Sequence, residues 1–384
     1  MKAVLGGEHA PLGTDFPNGG IIEMRRTRWL TRAVALLAVG SLSSGLGVSA
    51  SSASTERPAR PATPTAPAAP AEPAAAQGPT AAERAAQVQA TQTSVIKYGP
   101  FTAPAAPPNP DGTHGHAHTG NLFSFWVQKP CGDCYITSMT ADLVYPDGRR
   151  AGWSTNAQLH HMVMFNSEWG KVDPTCYVGF PFPLGLLFGQ RFFASGDERT
   201  EIDMPAGYGY KVGAASTFNM IYELAGMTDQ PQNVSIEMTY DWVPASTPGM
   251  KNVEPIWFDV AQCGFSTISR PQGPSQASWT WNVNRPGDIV AIGGHIHDGG
   301  KNIEIRNDTT GTVICNSVAG YGESPLYVDH HGEGHISSMS KCHGTGGNAA
   351  LRVSNGQNVT IRANYDMPAA VQDQMGIVMA FVAE

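Results

Sequence analysis

Charge is scarce in this chain: Asp, Glu, Lys and Arg make up only 15% of its 384 residues, and the formal net charge is −8. A basic footprint is missing, which excludes nucleic acid as a partner, because phosphate binding needs clustered Lys and Arg. From Asn121 onward, amphipathic helical windows longer than two turns are missing too, which argues against a helix bundle. No apolar run makes a stable membrane span; the stretch from Ala33 to Leu42 is too short and too rich in small residues. Beside Cys131 and Cys134 there is no second CxxC to make a zinc site, and no βαβ pattern surrounds the pair to suggest thioredoxin-like chemistry.

Turn formers, by contrast, are abundant, with 43 Gly and 29 Pro. That balance suits turn-rich β structure. From Met24 the chain reads as a secretory signal: a basic start, an apolar stretch from Ala33 to Leu42, and a cleavage site at Val48–Ala50. Arg25 and Arg26 lack the large apolar residues that follow a twin-arginine pair, so general secretion from a bacterial cell is expected, with Met24 as the true start. Residues 1–50 are thus an N-terminal extension plus signal peptide. Residues 51–119 are Ala/Pro-rich and read as a disordered linker ending in the His-rich run His114, His116 and His118; inside it a short amphipathic run from Thr80 to Gln92 can form a helix but has little to pack against.

From residue 120 onward, short β-favouring runs alternate with turns. Examples are Leu122–Val127, Tyr135–Val144, Gln158–Phe165, Thr217–Leu224, Ile289–Ile296 and Gly376–Val382. A boundary at Pro244–Gly249 divides them, so the fold class expected is all-β: two tandem jelly-roll β-sandwich domains, residues 120–246 and 250–384. Six cysteines in an exported chain read as three disulfides. Among fifteen possible pairings we expect Cys131–Cys134 in the first domain and Cys315–Cys342 in the second, which leaves Cys176–Cys263.

Histidines cluster rather than scatter, and none lies between His161 and His295. On a strand, His295 and His297 share a face and can meet one metal ion. Met375, in the closing strand, adds a thioether; sulfur with imidazole selects copper over zinc, calcium or magnesium. Adjacent His160 and His161 point to opposite faces of a regular strand, so both can reach one ion only across a twist or bulge. Asp298 reads either as an orienter of a ligating imidazole or as a turn residue. The histidines at 330, 331, 335 and 343 read as loop residues.

The run from Gln158 to Phe165, with His160, His161 and Met162 at its centre, resembles the HHM strand of the copper type II, ascorbate-dependent monooxygenases, the family of peptidylglycine α-hydroxylating and dopamine β-monooxygenases. His295 and His297 resemble its H-x-H element and Met375 its methionine ligand. The stretches Asp203–Val212 and Gly356–Arg362 fall in the family's order. The resemblance covers roughly residues 120–384. It implies two domains facing each other across a cleft, each with one copper, so up to two ions. His295, His297 and Met375 would hold the ion that binds O2 and abstracts hydrogen; His160 and His161 would hold the ion that relays the second electron. Ascorbate or another reductant is the implied co-substrate, with a small-molecule or peptide substrate. One departure stands out: the strand expected to supply a third histidine reads Phe218 to Ala225 and has none. His114, His116 or His118 can complete that site, or Glu223 or a nearby Met can, or it is weak. A secreted C–H-hydroxylating monooxygenase and a non-catalytic secreted copper-binding protein therefore both stay open, with a glycoamidase-type hydrolase on the same fold as a third reading.

Overall fold

The computed structural model describes residues 79–108, 115–176, 189–262, 266–343 and 352–383. The expected signal peptide, most of the expected linker, His114 and Cys263 lie outside them. The chain opens with α1 (Ala81–Ala90), β1 (Gln92–Ala103), β2 (Ala117–His118) and β3 (Leu122–Val127). Then come β4 (Cys134–Val144), β5 (Ala157–Asn166), β6 (Gln190–Gly196), β7 (Ile202–Asp203), β8 (Tyr208–Val212), β9 (Phe218–Gly226) and β10 (Gln232–Pro244). The second half holds β11 (Lys251–Asp259), β12 (Ile268–Arg270), β13 (Gly273–Asn282), β14 (Gly287–Ile296), β15 (Gly300–Asn307) and β16 (Thr312–Tyr321). It ends with β17 (Ile336–Met339), β18 (Cys342–His343), β19 (Arg352–Val353), β20 (Asn358–Met367), β21 (Val371–Gln374) and β22 (Gly376–Ala383). The fold is all-β, as expected.

One long sheet, in the order β1-β10-β4-β8-β11-β22-β14-β18, runs through both halves. Its two parts join where β8 and β11 pair in parallel, Tyr208 against Lys251 and Gly209 against Asn252. A five-stranded sheet of β2, β3, β9, β5 and β6 shares the first core with it, and one of β13, β20, β15, β16 and β17 shares the second. The strand β22 shows why its sequence is an unbroken apolar run. Ile377, Met379 and Phe381 enter the first core while Val378, Ala380 and Val382 enter the second, so both faces are covered. The bridges Cys131–Cys134 and Cys315–Cys342 are present, with Cα atoms 6.1 and 5.8 Å apart. No helix of the described residues is long and apolar enough to cross a membrane.

The expected linker is corrected at its C-terminal end. Thr80 and Glu83 close a reciprocal capping box that starts α1. The strand β1 then pairs along β10 from Gln92 opposite Trp242 to Ala103 opposite Gln232. Ile96 and Tyr98 alternate with the exposed Lys97 and bury themselves in the first core. An Ala/Pro-dominated average over 51–119 hides this period-two pattern.

Candidate metal centre

In β5, Leu159 sits opposite Leu224 and His161 opposite Glu223, so His160 is one residue in excess of its partner strand. This is the bulge that adjacent histidines need in order to turn to one site, and it brings His160 Nδ1 to 3.2 Å from His161 Nδ1. Residues directly opposite in a ladder share a face. Glu223 therefore lies beside His161 on one side, and Gly196 of β6 on the other. His118 of β2, opposite Ala225, shares the face of Glu223, and its Nδ1 is 3.1 Å from Glu223 Oε1. His161 Nε2 meets Asn121 Oδ1 at 2.9 Å and lies 3.8 Å from Glu223 Oε2.

The second half reaches this face through glycine. A Cβ on Gly196 would stand 2.5 Å from His295 Cε1 and 2.7 Å from the His160 carbonyl; one on Gly293 would stand 2.4 Å from Ile202 Cδ1. At Gly196 a side chain would press on fixed backbone, and at Gly293 it would displace the tip of Ile202, so β14 comes close because neither position carries one. The ring centroids of His160 and His297 are 4.3 Å apart, those of His161 and His297 6.3 Å, and those of His161 and His295 6.5 Å. The expectation of one ligand set in each half, parted by an open cleft, is thus corrected: four imidazoles converge in a single cluster. Gly376 pairs with Ile296 and Ile377 with His295, so Met375 falls one step beyond the ladder, level with His297 and on the same face. Its side chain is buried in the first core.

Each histidine of the H-x-H element is oriented. His295 Nδ1 donates to Glu198, with both carboxylate oxygens at 3.0 Å, and His297 Nδ1 donates to the Asp373 carbonyl at 2.8 Å. Both Nε2 atoms are buried and have no hydrogen-bond partner. An imidazole whose Nδ1–H is committed carries its lone pair on Nε2, the arrangement of a metal ligand with its outer support in place. Burial, reinforced by the neighbouring imidazoles, pushes His160 and His161 well below the usual histidine range and lowers His297 as well. Burial works against ionisation of Glu198, yet His295 and the Gly196 N–H hold its carboxyl below the ordinary value. Imidazoles held neutral in this way at His160, His161 and His297 need lose no proton to bind a metal.

The cluster opens on a cavity of about 670 Å³, lined among others by His116, His118, Trp153, His335 and Asp373. Asp298 does not orient a ligating histidine. It accepts from His335 Nδ1 at 2.5 Å and from the Ile336 N–H at 2.7 Å. His335, read from sequence as a loop residue, stacks on Trp153 with centroids 3.3 Å apart. The Trp153 indole N–H donates to Asp197 at 2.5 Å, and burial pushes that carboxyl up to about 7 although Arg199 is beside it. Glu198, Trp153 and His335 were missed in the sequence. The one available signal is the charged triplet Asp197–Arg199 that directly follows an apolar strand. The residues fit a copper ion: imidazole nitrogens with free buried lone pairs, and a thioether on the same face.

Residues 236–384 match the family model described as stress up-regulated Nod 19. Over 314 residues the chain is 27% identical to a probable copper-dependent oxygenase of a Phoma species, covering 75% of this chain and 72% of that protein. Over 269 residues it is 26% identical to the probable copper-dependent oxygenase clz3 of Cochliobolus lunatus, covering 64% and 78%. Among solved structures it matches the major capsid protein P2 of bacteriophage PM2 at 10% identity over 76% of this chain and 98% of that one, with a TM-score of 0.29. The similarity to proteins named as copper-dependent oxygenases covers most of the chain, and it supports copper-oxygenase kinship in general rather than the peptidylglycine and dopamine enzymes in particular.

Proposed function

We propose that this protein is an exported copper-dependent monooxygenase that hydroxylates a substrate C–H bond, with ascorbate or another reductant supplying electrons. The observation that carries the reading is the pair of buried, unpartnered Nε2 atoms on His295 and His297, each held by a fixed Nδ1 contact. His295, His297 and Met375 would hold copper, with His160 and His161 beside them. When bound, copper supplies one-electron redox chemistry at a coordination position open to O2. The overall balance is one C–H bond and one O2 consumed, two electrons and two protons taken up, and one C–OH bond and one water formed. Glu198 keeps His295 in the tautomer that ligates. The Asp373 carbonyl does the same for His297. Gly196 leaves the His295 ring its room, and the cavity beyond Trp153 and His335 is where a small-molecule or peptide substrate would lie.

The absence of a histidine from Phe218 to Ala225, the strand expected to supply a third one, with Glu223 there instead, favours a second reading, a secreted copper-binding protein without turnover. One experiment addresses both. Wild type should take up copper, and His295→Ala, His297→Ala and Met375→Ala should each bind less; no uptake by wild type, or unchanged uptake by the variants, overturns the copper site. Ascorbate-dependent O2 consumption matched by hydroxylated product supports the oxygenase. Ascorbate oxidation with no coupled product supports the binding protein.

A further inference from the structure

We propose that Gln374 anchors the polar group of the substrate, its Oε1 accepting a hydrogen bond from an N–H or O–H donor, so that the cavity takes amides or alcohols and rejects carboxylates. This deepens the oxygenase reading, on which naming the ligand of the cavity a substrate rests. Among the described residues, buried side-chain polar atoms without a partner gather at this cavity: Nε2 of His295, His297 and His335, and Oε1 of Gln374, all belong to residues of its lining. Copper accounts for the first two. His335 Nε2 has the Asp329 carboxylate 3.5 Å away. Of the four, Gln374 Oε1 is left over. Gln374 is only 4% exposed, and a buried acceptor left unpaired costs more than a made hydrogen bond returns.

The other end of the amide settles its orientation. Nε2 donates to the Asp298 carbonyl oxygen at 2.7 Å. That oxygen can only accept, so turning the amide over would set oxygen against oxygen. The unpaired end is therefore an acceptor and calls for a donor. Its place in the chain suits the proposed chemistry. Asp373, one residue before, gives its carbonyl to His297 Nδ1, and Met375 is one residue after. A group held by Gln374 thus adjoins the segment that serves the ligands. Charge selects the kind of donor. The Asp373 carboxylate, 53% exposed, lines the cavity together with Glu333, and His160 Nε2 is 3.8 Å from it. The cation Lys301 in the lining is 60% exposed and pairs with Asp366 at 3.7 Å. Carboxylates facing a carboxylate ligand repel it. Met367, Pro368 and Val371 supply an apolar wall for the carbon skeleton.

The test uses the full chain stripped of metal and three probes of one shape: benzamide, acetophenone (a methyl group where the amide has NH2) and benzoate, with affinities from NMR titration. Wild type should bind benzamide about tenfold more tightly than either of the others. Gln374→Met keeps the length and loses the acceptor, and should bring benzamide and acetophenone to within about twofold. Loss of the Asp298 contact alone would weaken both probes together, so their ratio isolates the anchor from a merely structural role. Asp373→Asn leaves the backbone carbonyl on His297 in place; it should narrow the gap between benzamide and benzoate and keep the gap between benzamide and acetophenone. That variant keeps the proposal refutable if Gln374→Met does not fold. Wild type that does not bind benzamide, or does not prefer it to acetophenone, overturns the anchor, as does a preference that survives Gln374→Met or a benzoate gap that Asp373→Asn leaves unchanged. Copper uptake is measured alongside. Uptake without donor preference overturns the anchor alone, whereas donor preference without uptake supports the anchor and overturns the oxygenase reading.

Discussion

Gly196→Ala adds one methyl group at the point where the two halves meet over the histidine cluster. The new Cβ would lie 2.5 Å from His295 Cε1, 2.7 Å from the His160 carbonyl oxygen and 2.9 Å from Glu198 Oε2. Carbon atoms rest at about 3.5–4.0 Å, so the His295 ring must retreat by roughly 1 Å. It cannot do so freely, because Glu198 holds its Nδ1 and the His160 carbonyl belongs to the bulged backbone. Overpacking of this kind costs about 1–3 kcal/mol of stability, which for a chain of this size lowers Tm by a few degrees. The effect on metal binding should be larger in proportion. Ligand constellations work within about 0.5 Å, and loss of outer support for a metal-bound histidine typically costs about 10–100-fold in affinity. We expect copper affinity, measured by competition with a chelator, to fall at least about tenfold, with a lowered Tm in the metal-free protein. Gly132→Ala, whose added Cβ meets nothing within 4 Å, is the control and should change neither. A Gly196→Ala protein with wild-type affinity and an unchanged melt would refute the steric reasoning.

Two further predictions concern the groups around the cluster. Glu198→Ala removes the acceptor of the His295 Nδ1–H and should weaken copper binding by about 10–100-fold, with Glu198→Gln falling between it and wild type; equal affinities would show that the carboxylate does not set the tautomer. For His335, burial opposes protonation, but the Asp298 and Asp329 carboxylates outweigh it and raise its pKa, with His116 as the nearby imidazole. A folded pKa above the unfolded value of about 6.5 means that its stabilising contribution is fully present below that value and is lost as pH rises through the folded pKa. The stability gap between wild type and His335→Asn, followed by urea unfolding, should therefore be wider near pH 5.5 than near pH 8.5, and a gap that is constant with pH would be inconsistent with this.

Local pattern made much of this molecule legible from its sequence. Alternation and turn residues placed Leu122–Val127 where β3 lies, and Tyr135–Val144, Gln158–Phe165, Thr217–Leu224, Ile289–Ile296 and Gly376–Val382 within two residues of β4, β5, β9, β14 and β22. The identity of two adjacent histidines was enough to require a bulge at His160. Spacing also put His295 and His297 on one face. The same reasoning failed where the signal was not local. The strand β1 was lost within an Ala/Pro-rich average, although the run from Thr80 to Gln92 ahead of it was legible as a helix. The strand β6 went unread, and with it Glu198, which lies 97 residues from the His295 it orients.

What the sequence alone determined is the all-β character and the residue types that can bind copper, because each depends on neighbours along the chain; which of the fifteen cysteine pairings form was left to the fold. Tertiary structure alone decided that the two histidine pairs share one cluster, that Glu223 meets His118, and that His335 closes on Trp153. Those outcomes depend on which strands pair and how closely two halves approach, and at Gly196 and Gly293 that approach is permitted by side chains that are absent.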